Sequence, residues 1–156
     1  MWNWLKSLFS PPEPAGPPQT FRVFALDEGT ITTDGVMAEG DSLRIDVAEA
    51  QTIRLFEMRE PKVECSMITY RAEIRSENLG GRAFLEIWCC FPGRGEFFSK
   101  GLNHTVTGTT EWAWYEIPFY LKKGQQPDLI KLNLAVEGTG TVWMKNIILL
   151  KTPLAS

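Results

Sequence analysis

Cysteine, histidine and long apolar runs are what this chain has least of. There are three cysteines, Cys65, Cys89 and Cys90, and one histidine, His104. An odd cysteine count without framework spacing excludes a secreted disulfide scaffold. Adjacent strand residues point to opposite faces, so Cys89 and Cys90 are poorly placed to bond each other. Zinc needs about four ligands, and His104 has no ligand spacing to these cysteines, so reduced cysteines in or near a core are expected. A stretch of about 20 apolar residues, which a membrane-spanning helix requires, is missing too. So is a charge of one sign: 16 Lys and Arg against 19 Asp and Glu leave a net charge of −3. The basic residues are scattered among acids, whereas a protein that tracks phosphates needs them clustered. Nucleic acid is not an expected partner.

What is there suits one globular domain: 156 residues, 44% hydrophobic and 22% charged. Three segments can be marked off. Residues 1–10, MWNWLKSLFS, place Met1, Trp2, Leu5, Leu8 and Phe9 on one helical face. This short amphipathic segment is expected to dock on the body or a partner, or to lie weakly in a membrane interface, since it carries a single lysine. Residues 11–18 hold five prolines and read as a polyproline-type linker rising about 3 Å per residue. Residues 19–156 form the body. No export signal is visible, so the expected location is the cytoplasm.

The body reads as strand after strand, at 21–26, 36–38, 42–48, 52–58, 65–75, 82–91, 96–99, 112–121, 129–137 and 142–151. Gly, Pro, Asn and Asp punctuate them, as in Asn78-Leu79-Gly80-Gly81 and Pro92-Gly93-Arg94-Gly95. Alternation assigns the faces. Ile68, Tyr70, Ala72 and Ile74 share one side, as do Ala83, Leu85, Ile87 and Cys89, then Ala113, Tyr115, Ile117 and Phe119, then Ile130, Leu132, Leu134 and Val136. A period of two with one apolar side is what antiparallel sheets packed on one face require. The expected fold class is therefore all-β, an antiparallel β-sandwich.

Particular pieces narrow that class: Tyr70-Arg71-Ala72-Glu73, Gly81-Arg82-Ala83-Phe84-Leu85-Glu86-Ile87, Glu111-Trp112 with Tyr115-Glu116-Ile117-Pro118-Phe119, and Gly138-Thr139-Gly140-Thr141-Val142-Trp143 with Asn146-Ile147. The run resembles the jelly-roll carbohydrate-binding modules of the galactose-binding-like superfamily over about residues 21–151. The resemblance implies a jelly roll and a non-catalytic binding module. Many members hold a structural calcium with an acid near the first strand and another in the last. Asp27 and Glu28 match the first, but Lys145-Asn146 stand where acids are often found. A lysine opposes calcium, which takes about 6–8 oxygen ligands, so neither metal nor cofactor is expected.

Sugar rings are bound by aromatic faces, with carboxylates, amides and cations fixing the hydroxyls. The strand faces opposite the core supply that mix: Trp88, Trp114, Phe84 and Trp143, with Arg71, Glu73, Glu86, Glu116, Lys131 and Asn133. Arg94, between glycines in a loop, joins them at the rim. Recognition of carbohydrate, or of a related polyhydroxylated ligand, by Trp88, Trp114 and their neighbours is one reading. The other is that these are cross-strand pairs worth roughly 0.2–1 kcal/mol each, or a surface buried by a protein partner or a second copy. A protein-interaction module and a membrane-surface adaptor thus stand as alternatives. No nucleophile motif accompanies His104, and the carboxylates of Glu86 and Glu116 have no separation assignable from sequence, so no enzyme is expected.

Overall fold

The computed structural model describes residues 12–155, so the amphipathic segment expected over residues 1–10 lies outside the described residues. The described chain forms nine strands: β1 (Gln19–Val23), β2 (Val36–Glu39), β3 (Ser42–Val47), β4 (Gln51–Arg59), β5 (Ser66–Phe91), β6 (Gly95–Lys100), β7 (Val106–Leu121), β8 (Leu129–Val136) and β9 (Gly140–Pro153). All pair antiparallel, in the order β2-β3-β9-β5-β8-β4, with β1 on β9 and both β6 and β7 on β5.

The strand β5 organises this arrangement. Its residues 66–77 lie between β9 and β7, and its residues 82–91 lie between β8 on one side and β6 with the start of β7 on the other. The two strands expected at 65–75 and 82–91 are therefore one, bent at 78–81 so that it serves both sheets. The inward residues of the two halves, among them Ile68, Ile74, Leu85 and Ile87, pack into a single core with Leu132, Leu134, Met144 and Leu149. Tyr70 ties the layers directly, its hydroxyl donating to the Asn133 carbonyl of β8 at 3.2 Å. Burial, and then the nearby Glu86 carboxylate, push the Tyr70 phenol far above its ordinary pKa.

Several boundaries differ from expectation. The strand expected at 21–26 is β1, followed by a 3-10 turn at Leu26–Glu28. Ala113, inward by alternation, is exposed on β7, which pairs with β5 alone. Phe84, on the outer side by alternation, is buried. The described part of the Pro-rich linker runs against the body: the Ala15 amide donates to the Pro153 carbonyl and the Ala155 amide to that of Glu13, each at 2.8 Å. Among the described residues no helix is long and apolar enough to cross a membrane.

The bend in β5 works because the β8–β9 turn nests against it. A Cβ on Gly138 would lie 1.6 Å from the Gly80 carbonyl oxygen. Gly81, at φ 73°, would place its own Cβ 2.4 Å from the Glu137 carbonyl oxygen. Gly138→Ala forces two backbones apart and should cost more than about 3 kcal/mol, whereas Gly93→Ala, in open space, should cost about 1 kcal/mol. Urea denaturation of the two variants checks this; equal losses would mean that the corner relaxes freely.

Candidate functional site

Cross-strand partners point to the same side of a sheet, so the register of β4, β8, β5 and β6 can be read outward as rungs. One rung is Arg54, Asn133, Glu86 and Lys100; the next is Glu57, Lys131, Trp88 and Phe98; the third is Arg59, Leu129, Cys90 and Glu96. Four of the residues singled out from sequence, Glu86, Trp88, Lys131 and Asn133, are brought together here. Phe98, Lys100 and Glu96 complete the face and were missed, although the Pro92–Gly95 turn fixes the hairpin register that sets Phe98 opposite Trp88.

Glu86 is the hub of this face. Its Oε1 accepts from the Trp88 indole Nε1 at 2.7 Å and from the Asn133 Nδ2 at 3.0 Å, and its Oε2 lies 3.7 Å from the Lys100 Nζ. Only 6% of the residue is exposed. A buried carboxylate is tolerable when donors surround it, and these donors fix the indole in one orientation. Phe98 flanks Trp88 with ring centroids 5.0 Å apart, and Phe98 itself is 54% exposed. Below them the Lys131 Nζ donates to Glu96 at 2.7 Å, and the Cys90 thiol approaches the same oxygen at 3.2 Å. The result is an aromatic pair held by a polar frame. Burial, followed by the hydrogen bond to Glu96, pushes the Cys90 thiol up to about 11, and burial raises Cys89 to about 12. Both are protonated at neutral pH, and neither fits a nucleophile's role.

Arg71, Glu73, Trp114 and Glu116 are not part of this face. They lie on the outer side of the other sheet: Arg71 and Glu73 are on the stretch of β5 that pairs with β7 and β9, and Glu116 and Trp114 stand opposite them on β7. The single patch expected from sequence is thus two faces on opposite sides of the sandwich. On this second face each tryptophan has a cation against its ring, although Trp114 stays 41% exposed. Arg71 lies 4.1 Å from the Trp114 ring centre, Arg75 lies 3.7 Å from that of Trp143, and Lys145 lies 4.3 Å from that of Trp112. Trp143 is only 5% exposed and donates its indole Nε1 to Glu39 at 2.6 Å. Such cation–π contacts contribute about 0.5–1 kcal/mol at exposed sites. Among the described residues Trp88 is the one tryptophan with no cation over its ring.

Arg94 lies apart from both faces, in the turn between β5 and β6. His104 packs against Tyr115 with ring centroids 4.3 Å apart. Of the residues set against the calcium ligands by the resemblance, Glu28 accepts from the Arg22 guanidinium and the Ala25 amide, and the Lys145 Nζ sits 3.9 Å from Asp41. Among the described residues no group of three or more His, Cys, Asp and Glu could hold a metal.

No protein-family model matches the chain, and no curated protein matches it by sequence. Solved structures do. A CBM4 carbohydrate-binding module aligns over 74% of each chain at 7% identity, with a TM-score of 0.54. A CBM29-2 variant complexed with mannohexaose aligns over 88% of this chain and 92% of its own at 13% identity, with a TM-score of 0.51. The CBM22-1 xylan-binding domain of Paenibacillus barcinonensis Xyn10C aligns over 89% and 95% at 12% identity, with a TM-score of 0.50. The chain has the jelly-roll fold of these modules. At such identities the likeness concerns the fold, and fold alone does not fix function.

Two tests follow from the faces. Trp143→Ala should cost about 3–5 kcal/mol and Trp114→Ala about 1 kcal/mol, read from thermal melts; the reverse order would mean that Trp143 is not the buried ring of the second face. The hydrogen bond from Lys131, then that from Cys90, hold the Glu96 carboxyl below the usual range, and the same bond raises Lys131. The stabilisation from Glu96 is present above its unfolded pKa and fades as pH falls through the lowered folded value. That from Lys131 is present below the ordinary lysine value and fades as pH rises through the raised one. NMR titration should give Glu96 a midpoint below that of free glutamate, returning upward in Lys131→Met. An unshifted midpoint would show that the pair does not form in solution.

Proposed function

We propose that the protein is a non-catalytic module that binds a neutral saccharide on the outer face of the β4–β8–β5–β6 sheet. One observation carries the reading: Trp88 presents a ring with no cation over it, fixed by Glu86 and flanked by exposed Phe98. A sugar's C–H surface is apolar and its rim is a ring of hydroxyls, so it calls for an aromatic platform bordered by donors and acceptors. Lys100, Lys131, Glu96 and Arg54 supply that border. The jelly-roll fold, shared with modules whose structures hold oligosaccharides, supports the reading by analogy. Residues of the face are engaged with one another, which suits a preorganised binding surface more than a general acid or base.

The full chain screened on a glycan array should bind a neutral oligosaccharide. In calorimetry with that ligand, Trp88→Ala should lose at least about tenfold in affinity, or 1.4 kcal/mol. Trp88→Phe should recover part of the loss, and Trp114→Ala should bind like the parent. Silence across a broad array by the folded protein, or binding that survives Trp88→Ala, would turn the reading toward a protein partner.

A further inference from the structure

At the end of the sandwich formed by loops 60–65, 92–94 and 122–128, a groove of about 570 Å³ opens between the β5–β6 hairpin and the chain that follows β7. Its volume falls within the range of about 300–1,000 Å³ usual for ligand sites. Phe91 and Phe97, with ring centroids 5.8 Å apart, line it from the hairpin, and Phe119 and Tyr120 line it from β7. Edge strand β6 separates it from the Trp88 face: Phe98 stands on the outer side beside Trp88, and Phe97, the preceding residue, lines the groove. Arg94 and Lys122 are the charged side chains in its lining.

The distribution of charge sets this end apart. Elsewhere in the described chain, the basic side chains are engaged. Arg22, Arg44, Arg54, Arg59, Arg82, Lys100, Lys131 and Lys145 face carboxylates, while Arg71, Arg75 and Lys151 lie over aromatic rings. Among the described residues, Lys62, Arg94, Lys122 and Lys123 show neither contact, and all lie in the loops at this end. Glu64, which faces the 122–126 loop, is already taken up by the Gly124 amide and the Gln126 Nε2. The groove therefore joins aromatic walls to two cations that no carboxylate neutralises.

We propose that this groove binds the acidic unit of a saccharide, a uronate whose carboxylate is held by Arg94 and Lys122 and whose ring lies against the aromatic walls. The inference rests on the carbohydrate reading above and adds a second, charge-selective site to it. A guanidinium presents parallel N–H donors that match a planar carboxylate, and a lysine nearby adds a point charge.

Calorimetry of the full chain with trigalacturonic acid tests it, beside the fully methyl-esterified trisaccharide, which keeps the rings and removes the charge. The acid should bind, its ester at least tenfold more weakly, and the affinity should fall as salt rises. Arg94→Gln and Lys122→Gln should each weaken the acid at least tenfold while melting like the parent, and Phe98→Ala should leave that binding unchanged. Equal binding of acid and ester, indifference to both charge variants, or no heat at millimolar trigalacturonate would overturn the proposal. Loss of Trp88-dependent neutral-glycan binding alone would bear on the sheet face and leave the groove standing.

Discussion

At the corner where β5 leaves one sheet for the other, the backbones of residues 78–81 and 137–140 pass so close that neither turn tolerates a side chain at the contact. The Gly80 amide donates to the Thr139 carbonyl at 2.7 Å and the Glu137 amide to that of Arg82 at 2.8 Å. Glycine at 81, 138 and 140 permits this approach. Everything downstream depends on it. The bend aims residues 66–77 into one layer and residues 82–91 into the other, so the two inward rows close one core. The same bend sends the two outward rows to opposite sides of the molecule.

Those two outward rows share a composition and differ in what their rings meet. Around β9, β5 and β7, each tryptophan lies under a guanidinium or an ammonium, and the buried Trp143 has its indole nitrogen satisfied by Glu39. Trp143 has little ring surface left, whereas Trp114 keeps an exposed edge beside Arg71. Around β4, β8, β5 and β6, the cations turn toward carboxylates instead: Lys131 to Glu96, Lys100 to Glu86, Arg54 to Glu57. That leaves Trp88 with no cation over its ring, while the Lys100 Nζ also lies 4.6 Å from the centre of the Phe98 ring. The two faces thus differ in whether a cation lies over each tryptophan ring.

Much of the fold could be read along the chain. A period of two marks Ile68–Ile74 and Ala83–Cys89 as half-buried strands, and it places Cys89 in the core and Cys90 outside, as the structure has them. Half of the site was legible for the same reason, since Glu86 and Trp88 alternate with core residues and Asn133 and Lys131 do likewise. The grouping was not legible. Arg71 and Trp88 belong to one strand and to faces on opposite sides, and alternation within a strand carries no information about a bend between them.

The sequence by itself determined the all-β class, the inward and outward rows of each strand and the aromatic–polar content of those rows, because these depend on local periodicity. Only the tertiary structure decided which rows share a face, which tryptophans lie under cations, and where, among the described residues, four cations are left with neither a carboxylate nor a ring. Each of these is a contact between segments far apart in the chain. Gly80 meets Gly138 across 58 residues, Arg75 meets Trp143 across 68, and the groove draws its walls from the β5–β6 hairpin and the end of β7. Periodicity cannot report a distance that chain folding alone creates.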